Sequence, residues 1–249
     1  MTMARTCCAS ILRHISIDSV PLNATQILSN VGNFDMTEKL VSRAGVLANV
    51  IFWGALFAFA ALYPGYTHSH KAISELGAFG APNALAWNLV GFIIPGILLA
   101  LCGSAIAIRV DGQRTALYWL LILSGLGFSG AGIFPAEMRD GSPAMDSAWT
   151  MGHIIMSFVS GIPWIIASAI LVQHVKRSPK WQRFTRICLI LTLLAIASLV
   201  TNIAGRGLPL LAENPGLVQR IAFAFYFAWF LIAGYLFSNE SAPEINPSA

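Results

Sequence analysis

The side chains in this chain that could do acid–base, nucleophilic or ligand chemistry fall in four short segments. YPGYTHSHKAISELGAFGAPNA holds Tyr66, Thr67, His68, Ser69, His70, Lys71, Ser74 and Glu75. GIFPAE ends at Glu137, His153 follows, and RGLPLLAENPGLVQR holds Arg206, Glu213, Gln219 and Arg220. An imidazole beside a carboxylate or hydroxyl is the minimal set for general-base or nucleophilic catalysis. His153 with Glu137 or Ser74 is therefore the catalytic candidate. Tyr66, His68, His70, Gln219 and Arg220 offer hydrogen-bond donors, acceptors and charge, and are the ligand-binding candidates. His153, Ser157 and Gly161 recur at i, i+4 and i+8 and share one helical face.

Each of these residues also has a bland reading. His153 suits a structural bond to a neighbouring helix. Glu137 and Arg220 suit an ion pair closing the ends of two helices, a reading favoured over catalysis. Ser74 and Glu75 suit the start of a short helix, where serine and acidic residues satisfy free N–H groups. Capping is favoured over a nucleophilic serine. His68, His70, His153 and Glu137 can be assembled into a zinc set, but no HExxH or similarly strict spacing supports it. No metal is expected. Bis-histidine haem needs two histidines at matched depth on facing helices. His153 and His174 lie at opposite ends of one helix, so no cofactor is expected.

Composition dictates the elements that must position these groups. Of 249 residues, 56% are hydrophobic and 10% charged, and the mean hydropathy is +0.69. Soluble domains carry about 25% charged residues, so 15 basic and 11 acidic side chains cannot cover a soluble fold of this length. An ordinary cytosolic enzyme, a disordered chain and a nucleic-acid-binding domain are excluded. A bilayer-spanning helix needs roughly 20 mostly apolar residues. Six stretches free of Asp, Glu, Lys and Arg reach that scale: 44–70, 76–108, 115–136, 147–175, 187–205 and 221–239. The expected fold is all-α, a polytopic bundle of six transmembrane helices. The glycines of LSGLGFSGAGIFP in helix three, and Ser157 with Gly161 in helix four, suit close helix packing through small residues. Gly-Leu-Gly-Phe-Ser-Gly matches a dinucleotide fingerprint only in spelling, with no strand before it.

The basic residues set an expected orientation. With the N-terminus inside, 11 of the 15 Lys and Arg fall on the cytoplasmic side, and the outer side holds only Lys71, Arg139, Arg206 and Arg220. This places both termini in the cytoplasm of a cell (inner or plasma) membrane. All four polar segments then lie on the outer face, where they are tolerated if they pair or line a hydrated cavity. The expected domains are a flexible tail over 1–35, a transmembrane domain over 36–238 and a disordered tail over 239–249. Met36 followed by TEKLVSRAG reads equally as a natural start, with 1–35 as an upstream extension. The four cysteines, Cys7, Cys8, Cys102 and Cys188, imply no disulfide framework.

PGYTHSHKAISELGA, AGIFPAE, a histidine early in helix four and GLVQR opening the last helix together resemble a family. It is a domain-of-unknown-function family of multipass membrane proteins from bacteria and archaea. The family pattern PGY…SxLG falls on Pro64, Gly65, Tyr66, Ser74, Leu76 and Gly77. GxFPxD falls on Gly132, Phe134, Pro135 and Glu137, where Glu stands for the usual Asp and lengthens the arm. The helix-four histidine is His153, and GLxQR falls on Gly216, Leu217, Gln219 and Arg220. The resemblance spans roughly 40–237 and implies the architecture without a reaction. Membrane lipid is the expected partner, and nucleic acid is not. The leading functional reading is an outer polar cluster with a structural or lipid- or ligand-recognising role. The alternatives are a membrane-embedded hydrolase or transferase using His153, and a small-solute transporter.

Overall fold

A computed structural model describes residues 43–111, 115–140, 142–176, 182–204 and 213–239. The expected tail over 1–35, Cys7, Cys8, Arg206 and residues 240–249 lie outside the described residues. The described chain is mostly helical. Its helices are α1 (Ala44–Ala61), α2 (Ala84–Asp111), α3 (Ala116–Ile133), α4 (Ala148–Val175), α5 (Gln182–Ala204) and α6 (Pro215–Asn239). A 3₁₀ turn at Ile73–Gly77 sits between α1 and α2.

Five helices (α1, α2, α3, α4 and α6) are long and apolar enough to cross a membrane, while α5 carries a shorter apolar stretch, Arg186–Ala197. They are apolar all round. Phe52, Leu99, Phe227 and Trp229 are buried, yet Val50, Phe57, Trp119, Ile162 and Leu193 lie on the outside. A helix with no polar face forms because its surroundings, like its core, are apolar. The first four helices pack in chain order, α4 meets α5, α5 meets α6, and α6 returns to α1 and α2.

Small residues set the spacing within this ring. A Cβ on Gly125 of α3 would lie 2.3 Å from the Ala100 nitrogen of α2, and one on Gly127 would lie 2.4 Å from the Ser160 nitrogen of α4. Both neighbours sit against α3 at backbone distance, as the glycine run predicts. Gly161 departs from that expectation. A Cβ there would meet nothing within 4 Å, and Gly161 is part of a cavity wall. α2 carries a π-helical segment at Asn88–Ile93, just before Pro95. A widened turn is a recognised way to accommodate a proline, which lacks an N–H and crowds the preceding turn. Pro163 is carried inside α4 without ending it.

The expectation of a purely helical fold needs one correction. Between α3 and α4, β1 (Met138–Arg139) pairs antiparallel with β2 (Ser142–Pro143), in the register Met138↔Pro143 and Arg139↔Ser142. Asp140 takes a left-handed φ of 52° to turn the corner. Asp-Gly at 140–141 is a hairpin signal, but the two-residue strands carry no alternating pattern to reinforce it.

Candidate functional site

The start of α6 grips the loop that follows α1. Gly216 permits the approach: a Cβ there would lie 2.3 Å from the Lys71 carbonyl oxygen and 2.8 Å from that of His68. The Leu217 N–H donates to the Ser69 carbonyl (2.9 Å), and the Ile73 N–H donates to Gln219 Oε1 (2.6 Å). Arg220 completes the clasp. Its Nη1 donates to the carbonyls of Lys71 (2.9 Å) and Gly216 (2.8 Å), its Nη2 to the Tyr66 hydroxyl (2.6 Å), and its Nε to His68 Nδ1 (3.2 Å). The guanidinium carbon lies 5.5 Å from the Tyr66 ring centre. Tyr66 in turn donates to the Ala72 carbonyl (2.9 Å). Burial pushes the Tyr66 hydroxyl above its ordinary range, against the opposing pull of Arg220. Burial, and the Arg220 charge after it, push His68 below its ordinary value. His70 Nδ1 donates to the Glu213 carbonyl (2.5 Å), a second tie between loop and helix.

Glu75 and Ser74 divide the roles expected of them. Glu75 Oε1 accepts from the Ala72 N–H (2.7 Å) and caps the 3₁₀ turn. Ser74 lines the cavity described below.

The expected ion pair between Glu137 and Arg220 does not form. Glu137 Oε1 meets Arg139 Nη2 at 2.9 Å, and Arg139 Nη1 meets Asp146 at 2.7 Å. The hairpin explains it, because the reversal brings Arg139 beside carboxylates two and seven positions away. Arg139 holds the Glu137 and Asp146 carboxyls below their ordinary values. This exposed triad is anchored to α4 by Thr150, whose Oγ1 accepts from the Glu137 N–H (2.9 Å). The geometry removes Glu137 as a partner for His153 and satisfies Arg220 with carbonyls, a phenol and an imidazole.

His153 is held from α3. Its Nδ1 faces the carbonyl oxygens of Ala131 (2.8 Å) and Phe134 (3.1 Å). Carbonyls only accept, so Nδ1 carries the hydrogen, and in the neutral ring Nε2 is the acceptor. That tautomer is assigned from the partners. The ring lies edge-on to Phe92, with centres 5.9 Å apart. Ser157, one turn on, donates to the His153 carbonyl (2.9 Å). No hydrogen bond joins His153 to Ser74 among the described residues.

His153, Ser74 and Gln219 instead meet around a cavity of about 230 Å³ between α3, α4, α5 and α6. Its walls include Phe128 and Ala131 from α3, Ser157, Gly161, Trp164 and Ile165 from α4, Ala195 and Ile196 from α5, and Phe223 and Tyr226 from α6. Among the described residues, none that lines it is charged. The Tyr226 hydroxyl is shared between Ser124 Oγ (2.9 Å) and Ser160 Oγ (3.3 Å). The indole N–H groups of Trp87, Trp164 and Trp229 are all buried without an acceptor among the described residues. Trp164, Ser160 and Tyr226 sit in unbroken apolar runs, where sequence cannot distinguish a cavity wall from a packed core.

Of the ligand-binding candidates, only Gln219 reaches this cavity. Tyr66, His68 and Arg220 form the clasp, and His70 ties down the loop beside it. His68, His70, His153 and Glu137 each have separate partners, and among the described residues no three His, Cys, Asp or Glu group as a metal site. No curated protein and no solved structure matches the chain. A family model described as a protein of unknown function (DUF998) matches residues 46–236, and the chain belongs to that family.

Proposed function

We propose that this is a multipass protein of the bacterial inner (plasma) membrane that recognises a lipid-derived ligand in the cavity beneath its first loop. In this reading α5 supplies a sixth span, both termini are cytoplasmic, and the clasp lies on the outer side. Five apolar helices and the asymmetry of basic residues support that placement. The polar cluster then has two parts. The Arg220 clasp is structural and fixes a roof. The cavity under it does the recognising.

The carrying observation is an interhelical cavity of about 230 Å³ with apolar walls and a few polar groups, His153, Ser74 and Gln219 among them. Apolar walls with a small number of placed polar groups are the ordinary composition of a small-molecule site. The hydrolase reading loses ground because Glu137 is committed to Arg139 and Ser74 is not bonded to His153. The transporter reading gains nothing from uncharged walls.

Native mass spectrometry of the full chain released from its membrane tests the proposal. A retained small mass is expected, and it should be lost in Gly161→Trp, which fills the open space at that position. Equal adducts on both proteins, or none on either, would overturn it.

A further inference from the structure

Resting on the reading that the cavity is a ligand site, we infer that its ligand is an uncharged single-chain amphiphile with a hydroxyl head, entering sideways from the bilayer between α4 and α5. Three observations converge on this. The described lining carries no charge, and an unpaired charge in such surroundings is strongly disfavoured. A hydroxyl or another neutral polar head is admitted, and an ammonium, carboxylate or phosphate is not.

The second observation is the set of unused hydrogen-bonding groups. The ring of His153, fixed through Nδ1 by two carbonyls, presents Nε2 as an acceptor. Gln219 commits Oε1 to the Ile73 N–H, which leaves its amide NH₂ as a donor. A head that only accepts, such as an ester or ketone, would leave His153 Nε2 unmet. A hydroxyl both donates and accepts, so it can satisfy the histidine and the Gln219 amide together.

The third observation is where the wall is open. Ser157 is exposed although it lines the cavity, and a Cβ on Gly161 would touch nothing within 4 Å. Both lie on the His153 face of α4. Gly161 is halfway along this 28-residue helix, so in a spanning α4 the opening lies at the level of the acyl chains. A volume of about 230 Å³ is below the roughly 300–1,000 Å³ of pockets for drug-sized ligands, which suits one chain and not two.

Photolabelling of the full chain in lipid nanodiscs tests the inference. The probes are three diazirine-bearing alkyl chains of one length, ending in a primary alcohol, a sulfate and a trimethylammonium group. The alcohol is expected to label peptides spanning Ser157–Ile165 and Ala195–Ile196, and excess unlabelled long-chain alcohol should compete. The two charged probes are expected to label these peptides only at background. Gly161→Leu should abolish specific labelling. His153→Phe should lower it about 3- to 10-fold, the effect of one lost hydrogen bond. Equal labelling by all three heads would overturn the uncharged-head inference and leave the cavity site standing. Labelling that Gly161→Leu does not reduce would overturn the lateral entry. No competable labelling by any probe would overturn both the inference and the ligand-site reading. The comparison of head groups is made on the unaltered protein, so it stands even if a variant fails to fold.

Discussion

Arg220 donates to four acceptors on two segments of chain, so its geometry matters more than its charge. A lysine keeps the charge but not the planar fork. Arg220→Lys is therefore expected to cost about 1–3 kcal/mol, read as a fall of several degrees in a detergent thermal melt. Arg139→Ala, which removes two exposed ion pairs, should leave the melting temperature nearly unchanged. Comparable losses from both variants would show that the clasp is no stronger than a surface pair. His68 gives the clasp a pH dependence. Its pKa in the folded chain is pushed below the ordinary 6.5 by burial and Arg220, so folding favours the neutral ring. That stabilisation is present above pH 6.5 and fades as pH falls through the depressed value, because a protonated Nδ1 cannot accept from Arg220. The melting temperature of the native chain should drop across this range more than that of His68→Gln. Parallel profiles would remove His68 from the account. The sequence singled out His68, His153, Gln219 and Arg220 as polar groups in an apolar chain. It could not supply Arg220's partners, since charge complementarity suggests a carboxylate while the fold provides backbone carbonyls and a phenol.

At the scale of elements, charge-free runs and glycine spacing were the legible signals. α3 came through both. Its glycines meet α2 and α4 at backbone distance, and a methyl group has no room there. Gly125→Ala is expected to destabilise by about 1–3 kcal/mol through overpacking, because its Cβ would sit 2.3 Å from the Ala100 nitrogen. Gly54→Ala, on α1 with nothing within 4 Å of the added carbon, should be neutral or mildly stabilising through helix propensity. Paired melts decide it, and equal shifts would mean that α2 and α3 can move apart freely. The same spacing rule misread Ser157 and Gly161, because small residues line a cavity as readily as they line a helix contact. The β1–β2 hairpin was only weakly marked, by Asp-Gly at 140–141, for another reason. Two-residue strands have no periodicity, yet their reversal decides which cation Glu137 meets.

For the whole molecule, the asymmetry of basic residues carries a testable orientation. Single cysteines placed at 177–181 are expected to resist membrane-impermeant maleimide in intact cells and to react after permeabilisation. Reaction from outside would invert the proposed topology. The family match over 46–236 covers all six helices but assigns no chemistry, so function must be argued from the cavity and its roof. That roof is built from opposite ends of the chain. The loop that forms it leaves the ribosome directly after α1, while Gly216, Leu217, Gln219 and Arg220 arrive only with the final helix. Multi-element proteins assemble stepwise during synthesis, so the loop after α1 is made long before the residues of α6 that tie it down. The latch therefore makes the fold of the first loop a late event, since its partners lie 149 to 154 residues further along the chain.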